Sequence, residues 1–140
     1  MNPDAVTVLF VEDSDADADL IGLALERAGR DRGVVRARDP EEAMTILGGL
    51  DEVPALVLVD IGLPGAGGIG LLRDIRARWC RATLPAVILS SSAEARDVQA
   101  AYEAGASGYL VKPLRFGDLA GSIDAAARFW IDQNQVIAPG

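Results

Sequence analysis

Residues 56–70 read LVLVDIGLPGAGGIG. Four apolar residues are followed by a single carboxylate, Asp60, and then by a stretch that is half glycine. A short, continuously apolar run bounded by a turn is the pattern of a strand buried on both faces, and both-face burial belongs to a parallel sheet covered by helices. The charge therefore sits where such a strand leaves the core, beside a loop pliable enough for backbone to approach a ligand. Alone, an Asp there is an ordinary loop or cap residue, so its meaning depends on what the other strands place around it.

The same grammar recurs along the chain. VTVLFV (6–11), VVRAR (34–38), ALVLVD (55–60), PAVILSSS (85–92) and GYLVKP (108–113) are predicted strands, and a helical pattern follows each. Ser14 is the expected N-cap of a helix over 15–29, with Asp17 three residues on as in a capping box and Gly29 as its stop. Leu20 and Leu23, with Ala24 and Arg27, are the expected stripe of that helix. Asp39 caps and Pro40 opens the next helix, which Gly48 and Gly49 close. Residues 69–79 and 92–106 read as two further helices. The last spans 116–131, with Leu119, Ile123, Ala126 or Ala127, and Trp130 on one face. Five βα units predict an α/β fold with a doubly wound, five-stranded parallel sheet whose central strands are the first, third and fourth.

Composition narrows the function. The 140 residues carry a net charge of −8, no histidine and one cysteine. An acidic chain is poorly suited to neutralising nucleic-acid phosphates, and a chain without histidine cannot use its own imidazole as base, ligand or phosphocarrier. A lone Cys80 offers no disulfide framework, the N-terminus lacks a signal-peptide pattern, and no stretch is long and apolar enough to span a membrane, so a cytoplasmic protein without membrane or nucleic-acid partners is expected.

In a doubly wound sheet, functional groups collect beyond the carboxyl ends of the strands. There the sequence places Glu12 and Asp13, then Asp60, then Ser90, then Lys112. Each has a bland reading as a turn or strand-end residue. Together, three carboxylates on one rim repel one another by about 1 kcal/mol or more per close pair. A hard divalent cation such as Mg²⁺ relieves that repulsion with one or two direct carboxylate ligands. A carboxylate beside Mg²⁺ and an ammonium can attack a phosphoryl group.

With VEDSDAD, LVLVDIGLPG, PAVILSSS and AGASGYLVKP in these places, the sequence resembles a response regulator receiver domain of two-component systems, from about Val6 to Ile131. The resemblance implies a (βα)5 flavodoxin-like fold with strand order 2-1-3-4-5. It makes Asp60 the phosphoacceptor, supplied by a phosphohistidine on a sensor histidine kinase. It also implies Mg²⁺ held by Asp13, Asp60 and the Gly62 backbone carbonyl, with Glu12 acting through water. Ser90 becomes the switch hydroxyl, Lys112 the phosphate contact and Tyr109 the switch aromatic, and the Lys112–Pro113 bond is expected to be cis. Phosphorylation would change the surface made by helix 4, strand 5 and helix 5, so the chain would be a phosphoacceptor signalling protein, an enzyme only toward its own aspartyl phosphate.

Three features depart from the family pattern. Gly62 replaces a polar side chain, Ser90 stands for the commoner Thr, and Ala66 and Gly67 make the loop after Pro64 small. All three bear on the lifetime of the phosphate. A receiver over 1–131 and a tail over 132–140 are expected, with no DNA-binding output domain, so output is binding or phosphate relay. Phe129, Ile131, Val136 and Ile137 exceed what the core stripe needs and suggest a homodimer through helix 5 and the tail. The FW ending also resembles single-domain regulators paired with phytochrome-type kinases, which implies a light-sensing donor. Two other classes remain open at this stage: a receiver-shaped interaction module that is never phosphorylated, and a phosphatase using Asp60 as nucleophile, which lacks an acid two residues on.

Overall fold

A computed structural model describes residues 5–63 and 67–139. Pro64 and Ala66, two of the small-loop positions, lie outside the described residues. The elements alternate as β1 (Val8–Val11), α1 (Asp15–Arg27), β2 (Val34–Ala37), α2 (Pro40–Gly49), β3 (Leu56–Asp60), α3 (Gly67–Arg78), β4 (Ala86–Ser90), α4 (Ala95–Ala104), β5 (Gly108–Val111) and α5 (Phe116–Ala127), which runs on as a π-helical stretch, Arg128–Gln133. The strands form one parallel sheet in the order β2-β1-β3-β4-β5. The five βα units and the expected strand order are therefore both present.

Strand pleating divides the core into two layers. Leu9, Val11, Val57, Val59 and Ile88 point to one face and pack with Leu47, Leu71, Leu72 and Ile75 from α2 and α3. Val8, Phe10, Leu56, Leu58, Val87 and Leu89 point to the other and pack with Ile21 and Leu25 of α1 and Leu119 and Ile123 of α5. β1, β3 and β4 have to be apolar up to their carboxyl ends because both faces are dry, and each fully buried Leu or Val contributes about 1.5–3 kcal/mol of transfer free energy. The α5 stripe is as expected, with Leu119, Ile123, Ala126 and Ala127 all buried.

Both N-caps are present, but the capping box at Ser14 is not closed, because the Ser14 N–H donates to Glu12 Oε1 instead of Asp17. The Ser14 hydroxyl accepts from the Asp17 N–H at 3.2 Å, and Asp39 accepts from the Glu42 N–H at 2.8 Å. Four other expectations are corrected. Leu20 and Leu23 lie on the outside of α1, and the buried stripe is Ala18, Ile21, Ala24 and Leu25. Apolar residues at 20, 21, 23, 24 and 25 satisfy helical spacing on either face, and packing against Phe10, Leu58 and α5 makes the choice. Gly48 and Gly49 form the last turn of α2 rather than ending it, with Leu50 as the cap. α5 widens after Ala127 rather than continuing as an α-helix, so that the Asn134 N–H reaches Phe129 O. Finally, the Lys112–Pro113 bond is trans, the isomer that X–Pro bonds prefer by about 0.5–1 kcal/mol when nothing enforces cis. Among the described residues no helix is long and apolar enough to cross a membrane.

Gly68 fixes how closely α3 approaches β3. A Cβ there would lie 2.6 Å from Asp60 O and 2.8 Å from Ile61 Cα, and both are backbone atoms that cannot step aside. Gly68→Ala is expected to destabilise the protein by about 1–3 kcal/mol, the usual range for overpacking, read as a lowered urea midpoint at unchanged slope. An unchanged midpoint would mean that α3 is free to slide off the strand end.

Candidate acidic site at the strand ends

The register of the sheet brings the charged residues together. β1 and β3 pair in parallel through Val11↔Val59, and β3 and β4 through Asp60↔Leu89. Glu12, Asp13, Asp60 and Ser90 therefore leave neighbouring strands at the same rim. Lys112 follows β5, and its N–H donates to Ser90 O at 2.7 Å.

Glu12, Asp13 and Asp60 each offer a carboxylate oxygen, and these oxygens lie within 4.8 Å of one another. Glu12 is buried, Asp60 half-buried and Asp13 exposed, so the cluster opens to solvent on the Asp13 side. Lys112 Nζ stands 3.4 Å from Glu12 Oε2 and 3.9 Å from Asp60 Oδ1. The other Glu12 oxygen, Oε1, accepts from the Ser14 N–H at 3.2 Å. Burial raises the Glu12 carboxyl from its ordinary 4.5 to about 7 and Asp60 adds to this, while the Ser14 N–H and the Lys112 ammonium oppose it. The cluster thus holds more negative charge than one lysine balances.

The donor set fits a hard divalent cation. All three side chains present oxygen, two have solvent or partial access, and a doubly charged ion would offset the mutual repulsion of the three carboxylates. Imidazole is absent from the chain, and the one thiol, Cys80, is not among the clustered ligands.

Gly62 places no side chain beside the Asp60 carboxylate. The Gly62 N–H donates to Asp60 Oδ1 at 3.1 Å, and a Cβ at position 62 would stand 3.8 Å from that same oxygen. Any side chain there would overhang the carboxylate, and glycine supplies none. Ser90 is buried, and its Oγ accepts from the Ser92 N–H at 3.1 Å. Tyr109 is half-buried against the α2–α3–α4 side of the core, and its hydroxyl donates to Ser92 O at 2.9 Å.

Two residues at this rim escape sequence reading. The Arg36 guanidinium donates to Glu12 O through Nε at 3.0 Å and Nη2 at 2.9 Å, and to Asp15 Oδ1 through Nη1 at 2.8 Å. It clamps the turn that carries Glu12 and Asp13 and holds the Asp15 carboxyl below its ordinary value. The available signal was a charge inside the otherwise apolar VVRA strand. Ser92 is the other, bonded to both Ser90 and Tyr109, and nothing in SSS distinguishes it from its neighbours.

Comparison with known proteins identifies the family and the fold. The profile of the response regulator receiver domain matches residues 8–124. The probable methanogenesis regulatory protein FilR2 of Methanothrix harundinacea is 33% identical over 140 residues, covering 97% of this chain and 90% of FilR2. Response regulator Rcp1 of Synechocystis is 32% identical over 136 residues, covering 94% of this chain and 92% of Rcp1. The crystal structure of the Mn²⁺-bound form of Rcp1 superposes with a TM-score of 0.79 at 30% identity, covering 94% of this chain and 99% of that one. The phosphorylated cyanobacterial phytochrome response regulator RcpA superposes with a TM-score of 0.80 at 28% identity, covering 91% and 95%. Against other relatives, transcriptional regulators such as KdpE of Escherichia coli, the chain spans about half of the relative's length, 51% for KdpE. With its strand order, its acidic rim and a family match over most of its length, the chain belongs to the response regulator receiver domain family.

Proposed function

We propose that this receiver accepts a phosphoryl group on Asp60 from the phosphohistidine of a sensor kinase and signals through the resulting change of surface. The observation that carries the reading is the convergence of Glu12, Asp13 and Asp60 within 4.8 Å, with Lys112 Nζ within 3.9 Å of Asp60. A carboxylate oxygen of Asp60 attacks phosphorus while the P–N bond to the donor imidazole breaks and its electron pair stays with that imidazole. Lys112 is placed to pair with a phosphoryl oxygen as charge builds there. Asp13, Asp60 and the Gly62 carbonyl would hold Mg²⁺ directly, and Glu12 through water. Bound there, the ion would neutralise charge on the transferring group and orient it.

After transfer, the Asp60 side chain carries about −1.5 to −2 of charge in place of its carboxylate's −1, together with strong acceptor oxygens. Ser90 and Lys112 gain partners that exist only in that state, which biases the α4–β5–α5 surface through Tyr109. Gly62 leaves water unobstructed beside the phosphoryl group but supplies no side chain to orient it. The test is direct. Incubation with Mg²⁺ and a small phosphodonor should add the mass of one phosphoryl group, and chelation should abolish the gain. Folded protein that gains nothing across several donors would sink the reading and leave a binding module of receiver shape.

The donor kinase in this reading is phytochrome-type, supported by the likeness to the cyanobacterial phytochrome response regulator RcpA. The protein acts in the cytoplasm, and residues 132–140 serve as a dimerisation arm beyond a receiver over 1–131. Phe129, Val136 and Ile137 are 51%, 49% and 60% exposed, and Phe129 meets Trp130 edge to face. The tail returns along its own domain, where the Ile137 N–H donates to Ala82 O at 2.9 Å and the apolar side chains stay outward. An ordered backbone with outward apolar side chains suits a second copy. Deleting residues 129–140 should convert a dimer to monomers by sedimentation, and an unchanged mass would remove the arm from the account.

A further inference from the structure

Helix α4 is held very differently at its two ends. At the C-terminal end, two arginines donate to backbone carbonyls, one in the last turn of the helix and one on its cap residue, where cations are favoured. Arg76 Nε donates to Gly105 O at 2.7 Å, and Arg81 Nη2 donates to Tyr102 O at 2.7 Å. Arg76 is anchored in turn to Leu84 O at 2.7 Å, Trp79 O at 3.1 Å and Ser107 Oγ at 3.2 Å. Gly105 has φ +119°, and a Cβ there would sit 2.3 Å from Arg76 Cγ, so the guanidinium stem fills the space that glycine leaves. This end is fixed to α3 and to the start of β4.

The N-terminal end lacks such an anchor. The capping residue, Glu94, makes no side-chain cap bond. What ties this end down is Ser92, whose Oγ accepts from the Glu94 N–H at 3.3 Å and donates to Asp97 Oδ2 in the first turn. Through its backbone the same residue faces the phosphorylation site. Its N–H donates to Ser90 Oγ at 3.1 Å, and its carbonyl accepts from the Tyr109 hydroxyl at 2.9 Å.

We propose that Ser92 is a positioning residue which couples Ser90 to α4, with α4 acting as a lever hinged at Arg76 and Arg81 and latched by the Ser92–Asp97 bond. The proposal rests on the reading of Ser90 as the hydroxyl that moves toward a phosphoryl group on Asp60. When Ser90 Oγ leaves, the partly buried Ser92 N–H loses its acceptor, and an unpaired amide in that setting is costly. The segment must shift to find a new partner. The first turn of α4 follows through Asp97, while the far end stays with the arginines. Tyr109, which shares Ser92 O, follows the same displacement.

Hydrogen exchange with and without Mg²⁺ and beryllofluoride, a stable phosphoryl mimic, tests this. In the wild type, amides of Val98–Ala100 should change exchange rate by about fivefold or more, while those of Gly105 and Ala106 stay within about twofold, because only one end opens. Ser92→Ala should shrink the Val98–Ala100 response below about twofold, yet still gain the phosphoryl mass from a small donor. Asp97→Ala should match it, the double variant should be no worse, and Ser92→Thr, which keeps the hydroxyl, should restore the response. A purely structural role for Ser92 would speed exchange equally with and without the mimic and leave the ratio intact. A full response in Ser92→Ala, or an equal response at both ends of α4 in the wild type, overturns the lever. Failure of the wild type to gain phosphoryl mass instead overturns the reading of Asp60 beneath it.

Discussion

Replacing Asp60 by Asn is expected to abolish phosphoryl incorporation altogether while leaving the fold intact. An amide oxygen is a poor nucleophile and cannot carry the negative charge that attack on phosphorus requires. The substitution is nearly isosteric, and the Gly62 N–H that now donates to Asp60 Oδ1 can donate to the amide oxygen in the same place. Asp60 stands at the end of β3 in a half-buried position, so the stability cost should remain within about 1 kcal/mol. Removing this charge also removes one of the influences that raise the Glu12 carboxyl, so Glu12 should ionise at lower pH in the variant. Intact-mass spectrometry after exposure to Mg²⁺ and a small phosphodonor reads the main effect, and thermal melting checks the fold. Incorporation at wild-type levels would move the acceptor elsewhere, with Asp13, the exposed carboxylate of the cluster, as the first candidate.

The parts of this site that could be read from sequence are those whose neighbours constrain them. β1, β3 and β4 are apolar up to their carboxyl ends because two helical layers cover them, and a charge ending such a strand is conspicuous. That is why Glu12, Asp13, Asp60 and Ser90 could be placed on one rim before any distance was known. Ser14 and Asp39 announce helix starts because capping is a local bond between residues three apart. What could not be read depends on contacts between distant segments. The buried stripe of α1 is chosen by the sheet and α5, since Leu20 and Ile21 are equally apolar and only Ile21 is buried, in the cluster that also holds Leu58 and Ile123. Arg36 reaches the Glu12 carbonyl across 24 positions, and Arg76 reaches Gly105 across 29. Nothing in the local pattern of either arginine records its acceptor. The trans Lys112–Pro113 bond is a further case, because the isomer of an X–Pro bond is set by its surroundings and the two forms differ by so little.

Affinity for Mg²⁺ should rise with pH through about 7, and Glu12 should be the reason. In the metal-free protein its carboxyl titrates near 7 instead of 4.5, first because it is buried and then because Asp60 is beside it. Lys112 and the Ser14 N–H pull the other way without cancelling this. A cation entering the cluster must displace that proton or bear its loss, so proton and metal compete. For one group with a pKa near 7, the ionised fraction grows roughly tenfold between pH 6 and pH 8, and the apparent Mg²⁺ dissociation constant should fall by about that factor. Stability follows the same linkage with a defined sign. The folded protein keeps the Glu12 proton where the unfolded chain has lost it, so the metal-free fold has the full benefit below about 4.5 and loses it as pH rises through about 7. Added Mg²⁺ should therefore raise the melting temperature more at pH 8 than at pH 6. Glu12→Gln removes the competing proton. Its Mg²⁺ affinity should be weaker at pH 8 and nearly flat across the range, while its metal-free stability no longer declines between about pH 4.5 and 7. Isothermal titration at three pH values distinguishes the cases: a wild-type dissociation constant that does not move would mean that Glu12 is already ionised at pH 6, and that Lys112 and the Ser14 N–H outweigh burial in this pocket.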